Sequence, residues 1–123
     1  MASAIAGAAR QGARALVVLT SPLVNIGLKQ VTEAAVAHRL PSICGFVPIF
    51  AQAGGLLAYG PDFPDLFQHA ADYVAMILRG SKPAELPIQR PSKFDLVINL
   101  KTAKMLGLTI PPSLLARADQ VIE

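Results

Sequence analysis

Apolar and polar positions fall into blocks along this chain, and the blocks follow two different periods. Ala15-Leu16-Val17-Val18-Leu19-Thr20 is a short, unbroken apolar run rich in branched residues. That pattern is typical of a parallel strand buried on both faces. Comparable runs at residues 42–46, 56–60 and 93–100 bring the expected strands to four. Residues 66–78 follow the other period, placing Leu66, Phe67, Ala70, Val74, Ile77 and Leu78 at spacings of three and four. This predicts an amphipathic helix with one face to a core. Asp62 and Asp65 supply its acidic start, and Arg79-Gly80 its stop. The Ala-rich residues 2–11 read as a helix ended by Gly12, and Asn25 is placed to cap a helix over residues 26–38. Residues 47–53, 101–106 and 113–118 read as short helical turns. Pro83, Pro87 and Pro91 make residues 81–91 an extended connector.

Strands alternating with helices define an α/β fold, a mostly parallel, doubly wound sheet with flanking helices. A parallel sheet needs cover on both faces, and three main helices barely supply it.

Composition sharpens that shortage. The chain has 123 residues, one domain at most, and only 15% are charged, against about 25% in ordinary soluble domains. With 53% hydrophobic residues, disorder is excluded, and there is too much core for the surface available. The chain is therefore expected to be part of something larger, a truncated or split remnant. A net charge of +3 on scattered Lys and Arg, with no Trp, gives no nucleic-acid footprint. The single Cys44 excludes a disulfide framework or a cysteine zinc site. Residues 40–61 carry no charge and are long enough to span a bilayer. Seven prolines and glycines interrupt them, however, so buried strands joined by turns are expected. Residues 1–12 lack the basic start and apolar block of a secretory signal.

No constellation of side chains points to catalysis. His38 and His69 sit on expected helices and read as structural, and Cys44 has no electropositive neighbour to ionise it. Ser21 and Ser42 lack a hydrolase elbow, the glycines match no phosphate-binding spacing, and no metal-ligand spacing occurs. The expectation is no enzyme, no cofactor and no metal. What remains is the rule that open α/β sheets bind ligands beyond the carboxyl ends of their strands. Here those ends carry Thr20, Ser21 and Asn25, then Phe46, then Tyr59 and Gly60. They offer hydroxyls, an amide, aromatic faces and backbone N–H groups, a set suited to a small polar solute. The plainer alternative is that they only cap and terminate elements.

Two stretches carry a resemblance. Tyr59-Gly60-Pro61-Asp62, with residues 66–87 after it, is the first; Lys93-Phe94-Asp95-Leu96-Val97-Ile98-Asn99-Leu100, running on to Asp119, is the second. Both resemble the C-terminal part of ABC-transporter substrate-binding proteins of the tryptophan/tyrosine-binding-like group, and Leu19-Thr20-Ser21-Pro22 and His38-Arg39-Leu40-Pro41 fit it too. The resemblance implies part of a two-lobed, type I periplasmic binding protein. It places residues 1–54 in the C-terminal lobe, 55–92 crossing toward the other lobe, and 93–123 in the return segment. It implies ligand contacts at Thr20, Ser21 and Asn25 on one side and near Phe46, Tyr59 and Gly60 on the other. The implied partners are a small-molecule solute and the permease subunits at the membrane. The implied location is the periplasm, or the cytoplasm for a chain expressed as given. Family members often carry an acidic residue where Ser21 stands, which would pair with a ligand amine; Ser21 points away from an amino-acid ligand. The isolated chain is expected to self-associate. A non-catalytic α/β ligand-sensing or self-associating module is the alternative.

Overall fold

The branched runs lie side by side in one five-stranded sheet. The computed structural model describes all residues, 1–123. In chain order the elements are α1 (Ala2–Arg10), β1 (Leu16–Val18), α2 (Pro22–Ile26), α3 (Leu28–Ala37), β2 (Ser42–Cys44), α4 (Ile49–Gln52), β3 (Leu57–Pro61), α5 (Phe63–Leu78), a 3-10 turn (Pro83–Glu85), β4 (Phe94–Asn99), α6 (Leu100–Leu106), α7 (Pro112–Leu115) and β5 (Gln120–Ile122). The sheet order is β1-β2-β3-β4-β5. β1 with β2, β2 with β3 and β4 with β5 are parallel, with Val17 opposite Ile43, Cys44 opposite Ala58 and Ile98 opposite Val121. This is the mostly parallel α/β architecture with flanking helices that the pattern of blocks implies. No helix is long and apolar enough to cross a membrane.

The chain divides into two units: unit 1 is Met1–Gly60 with Asp95–Glu123, and unit 2 is Pro61–Phe94. The core of unit 1 gathers Ile5 of α1, Leu28, Val31 and Ala35 of α3, Phe50 and Ala51 of α4, and Val18, Cys44, Ala58 and Val97 of the strands. Three buried polar side chains close the end of α4, where a helix leaves carbonyls unpaired. Asn99 Nδ2 donates to Ala51 O at 2.8 Å, Thr32 Oγ1 to Ala53 O at 2.6 Å and Thr102 Oγ1 to Gly54 O at 2.9 Å.

In unit 2, Asp62 caps α5 by accepting from the Asp65 N–H at 3.2 Å. Asp62 N donates to Lys93 O at 3.1 Å, and the two side chains form an ion pair. The connector is fastened to α5 by the Tyr73 hydroxyl, which donates to Pro87 O.

Four expectations need correction. The sheet has five strands rather than four, because β5 is a three-residue segment with no apolar run to announce it. Asp119 sets it beside β4: its N–H donates to Leu96 O at 2.9 Å and its carboxylate accepts from the Leu96 N–H at 2.7 Å. The helix expected over residues 26–38 is two helices joined at Gly27, and Asn25 lies inside α2 instead of capping. The cap is Ser21, whose Oγ accepts from the Val24 N–H at 3.2 Å, with Pro22 in the first helical turn. β1 is an edge strand buried on one face only: Val18 is in the core, while Val17 is 71% and Leu19 78% exposed. The α5 stripe likewise buries no residue, leaving Phe67 73% and Leu78 83% exposed.

Candidate functional site

Because β1, β2 and β3 run in one direction, their carboxyl ends open on the same edge of the sheet. Leu19, Thr20 and Ser21 follow β1, Gly45 and Phe46 follow β2, and Tyr59 and Gly60 lie near the end of β3. Two glycines bring these ends together. A Cβ on Gly60 would fall onto the Gly45 carbonyl, and one on Gly45 would come within 3.1 Å of Thr20 Cγ2. At position 60 only a residue without a Cβ lets the two backbones approach this closely, while at Gly45 the tight neighbour is the Thr20 side chain.

Beside the glycines lies a shallow concavity of about 280 Å³, lined by Val17, Val18, Leu19, Thr20, Ile43, Cys44, Gly45 and Tyr59. Its walls are mainly apolar and include no carboxylate, imidazole or basic group. It extends over the open face of the sheet and reaches the carboxyl edge at Thr20 and Gly45. The chemistry on offer is the Thr20 hydroxyl, backbone groups at Gly45, and the Tyr59 side chain, which is 54% exposed.

Of the residues singled out from the sequence, the fold brings Thr20 and Tyr59 into this concavity and sets Gly60 against Gly45 behind it. The others play different parts. The Ser21 hydroxyl is engaged as the α2 cap, and Asn25 stands on the exposed surface of α2. Phe46 is half-buried against the core, just before the cis Val47–Pro48 peptide. Gly45 is not among the residues singled out from the sequence; the signal for it is a glycine late in one apolar run with a second glycine closing the next.

Two pairs of ionisable groups gather near the start of α5 in unit 2. The Lys93 ammonium hydrogen-bonded to Asp62, helped by the Asp65 N–H, holds the Asp62 carboxyl below the usual carboxylate range. His69 Nδ1 lies 3.4 Å from Asp65 Oδ2, one helical turn away. No three His, Cys, Asp or Glu side chains gather as metal ligands would.

An open α/β sheet whose aligned strand ends meet at a small uncharged hollow has the architecture in which ligands are commonly held beyond the carboxyl ends of the strands. The chain itself belongs to the ABC transporter substrate binding protein family, which it matches over residues 1–122. Among solved structures it is similar to a conserved domain protein from Vibrio cholerae O1 biovar El Tor, with 31% identity and a TM-score of 0.89 over 98% of this chain. It is equally similar to an ABC domain from Streptococcus pneumoniae in complex with L-Trp, at 30% identity and TM-score 0.88 over 98% of this chain. The ligand-free, open structure of CD0873, a substrate binding protein with adhesive properties from Clostridium difficile, shares the fold at 21% identity and TM-score 0.67, again over 98% of this chain. In each case the chain spans 40% of the length of the solved structure it matches. No curated protein sequence matches it.

Proposed function

We propose that this chain forms one wall of the solute-binding cleft of an ABC-type uptake system, holding a small polar solute without catalysis outside the cytoplasmic membrane. The observation that carries the reading is the convergence of Thr20, Gly45, Tyr59 and Gly60 at the carboxyl ends of three neighbouring parallel strands, in a chain of this family. Thr20 would give or accept one hydrogen bond, and Tyr59 would cover an apolar part of the solute. No acid–base pair lines the concavity, and the Cys44 thiol in its wall is buried with no basic group beside it, so binding is the chemistry it is suited to. In this reading residues 55–92 cross toward a second lobe and residues 93–123 return, and loaded protein is handed to the permease. The related domain that carries L-Trp makes L-tryptophan the first solute to try, despite the uncharged Ser21.

The test is a chimera in which this chain replaces the matched part of the Streptococcus pneumoniae domain. Calorimetry should detect a bound solute among L-tryptophan, L-tyrosine and small polar compounds. Thr20→Val and Tyr59→Ala should each weaken it by roughly tenfold, the loss of one hydrogen bond or one aromatic contact. A chimera that folds by circular dichroism yet binds none of them, or ignores both substitutions, defeats the reading. The 123-residue chain alone should bind more weakly than about 1 mM, since one wall recovers only part of the cost of association.

A further inference from the structure

The sheet ends in two edge strands, β1 and β5, and they are not equally protected. β5 is bracketed by Asp119 and Glu123. A second copy of β5 laid antiparallel on it would set carboxylate against carboxylate, a common guard against edge pairing. β1 has no such guard, since residues 15–28 carry no charge in a chain of net charge +3. Ala15, Val17 and Leu19 are all exposed. The ladder fixes which backbone groups are spare. Leu16 N donates to Pro41 O at 2.8 Å, and Leu16, Val17 and Val18 stand opposite Ser42, Ile43 and Cys44. Alternate residues of a strand turn their N–H and C=O to the same side. Leu16 and Val18 therefore bond to β2, and Val17 directs both groups away from the sheet. On its core side this edge opens into a hollow of about 210 Å³ walled by Met1, Ala4, Val24 and Val31.

We propose that β1 pairs antiparallel with β1 of a second copy, joining two sheets into one across a two-fold axis. With Val17 on the axis, its N–H and C=O exchange two hydrogen bonds with the same groups of the other copy. Ala15 then falls opposite Leu19 of the second copy, a small side chain against a large one. Arg14 falls opposite Thr20, whereas a parallel, in-register pairing would stack Arg14 on Arg14. Leu23 and Ile26 of α2, directly after the strand, add side chains that are 71% and 89% exposed. A three-residue edge and a short helix offer less than the roughly 800 Å² per partner of a standard interface, so the dimer is held in the micromolar range. The pairing requires no solute, and its failure would leave the solute-cleft reading untouched.

The test is sedimentation equilibrium of the 123-residue chain from about 1 to 200 µM. The mass should double and stop, with a dissociation constant on the order of 10 µM. Val17→Pro removes the outward N–H while sparing the bonds to β2 and keeping the site apolar. It should weaken the dimer by about tenfold or more, since each dimer loses two hydrogen bonds. Ala15→Lys or Leu19→Asp alone should weaken it by about fivefold. Both together in one chain should restore it, because each new ammonium faces a new carboxylate of the other copy. Within one copy these positions lie about 13 Å apart along the strand, so the rescue reports pairing between copies. A monomer throughout, mass growing past the dimer, or no recovery in the double variant would each overturn the proposal. So would a dimer indifferent to Val17→Pro while far-ultraviolet dichroism is unchanged.

Discussion

A single absent atom at Gly60 decides how closely the ends of β2 and β3 approach. A Cβ there meets backbone rather than a flexible side chain, so the strands must separate to accept it. Gly60→Ala is expected to cost about 1–3 kcal/mol, the usual penalty of overpacking, read as a lower midpoint in urea unfolding. Asp62 shows the electrostatic counterpart. Its folded-state pKa is depressed, chiefly by Lys93, so the folded chain binds fewer protons than the unfolded one in acid. The stabilisation is present in full above the unfolded value of about 3.9 and is lost as pH falls through the lower folded value. Asp62→Asn should therefore flatten the decline in stability below about pH 4 in a series of urea unfolding curves. The capping role of Asp62 was legible in the sequence, because cap and capped N–H lie three residues apart. Its ion pair was not: Lys93 is 31 positions away.

Among the elements, α2 turns on one hydroxyl. Ser21→Ala should cost about 1 kcal/mol, typical of a lost N-cap, whereas Asn25→Ala on the exposed side should stay within about 0.5 kcal/mol; thermal unfolding of the two variants separates them. If Asn25 proves the costlier, the cap has been assigned to the wrong residue. The bracket at the end of α4 is comparable. Thr32→Val removes the hydrogen bond to the half-buried Ala53 carbonyl, an expected loss of about 1 kcal/mol. Long elements declare themselves through periodicity, as α5 does over its whole length. β5 and the break at Gly27 do not, because three residues or one glycine carry too little local preference against partners brought in by the fold.

For the whole molecule, the open side of β1 and α2 leaves Val17, Leu19, Leu23 and Ile26 exposed by 71–89%. An uncharged edge strand beside such a surface is a template for association. Sedimentation velocity over a range of concentrations should show mass rising with concentration, and Leu19→Lys with Leu23→Lys should shift the population toward monomer. A concentration-independent monomer in the unsubstituted chain would count against this. The surplus of apolar residues in the sequence favours the same outcome.

By itself, the order of residues determined the α/β class, the long helix α5, the caps and stops lying within a turn of one another, and the excess of apolar surface. Those follow from spacing and composition, which are local or additive. Tertiary structure alone decided that Thr20 and Tyr59 share one hollow, that Gly45 meets Gly60, and which apolar faces stay bare. Each of these depends on distance through space between segments far apart in the chain, which no local preference encodes.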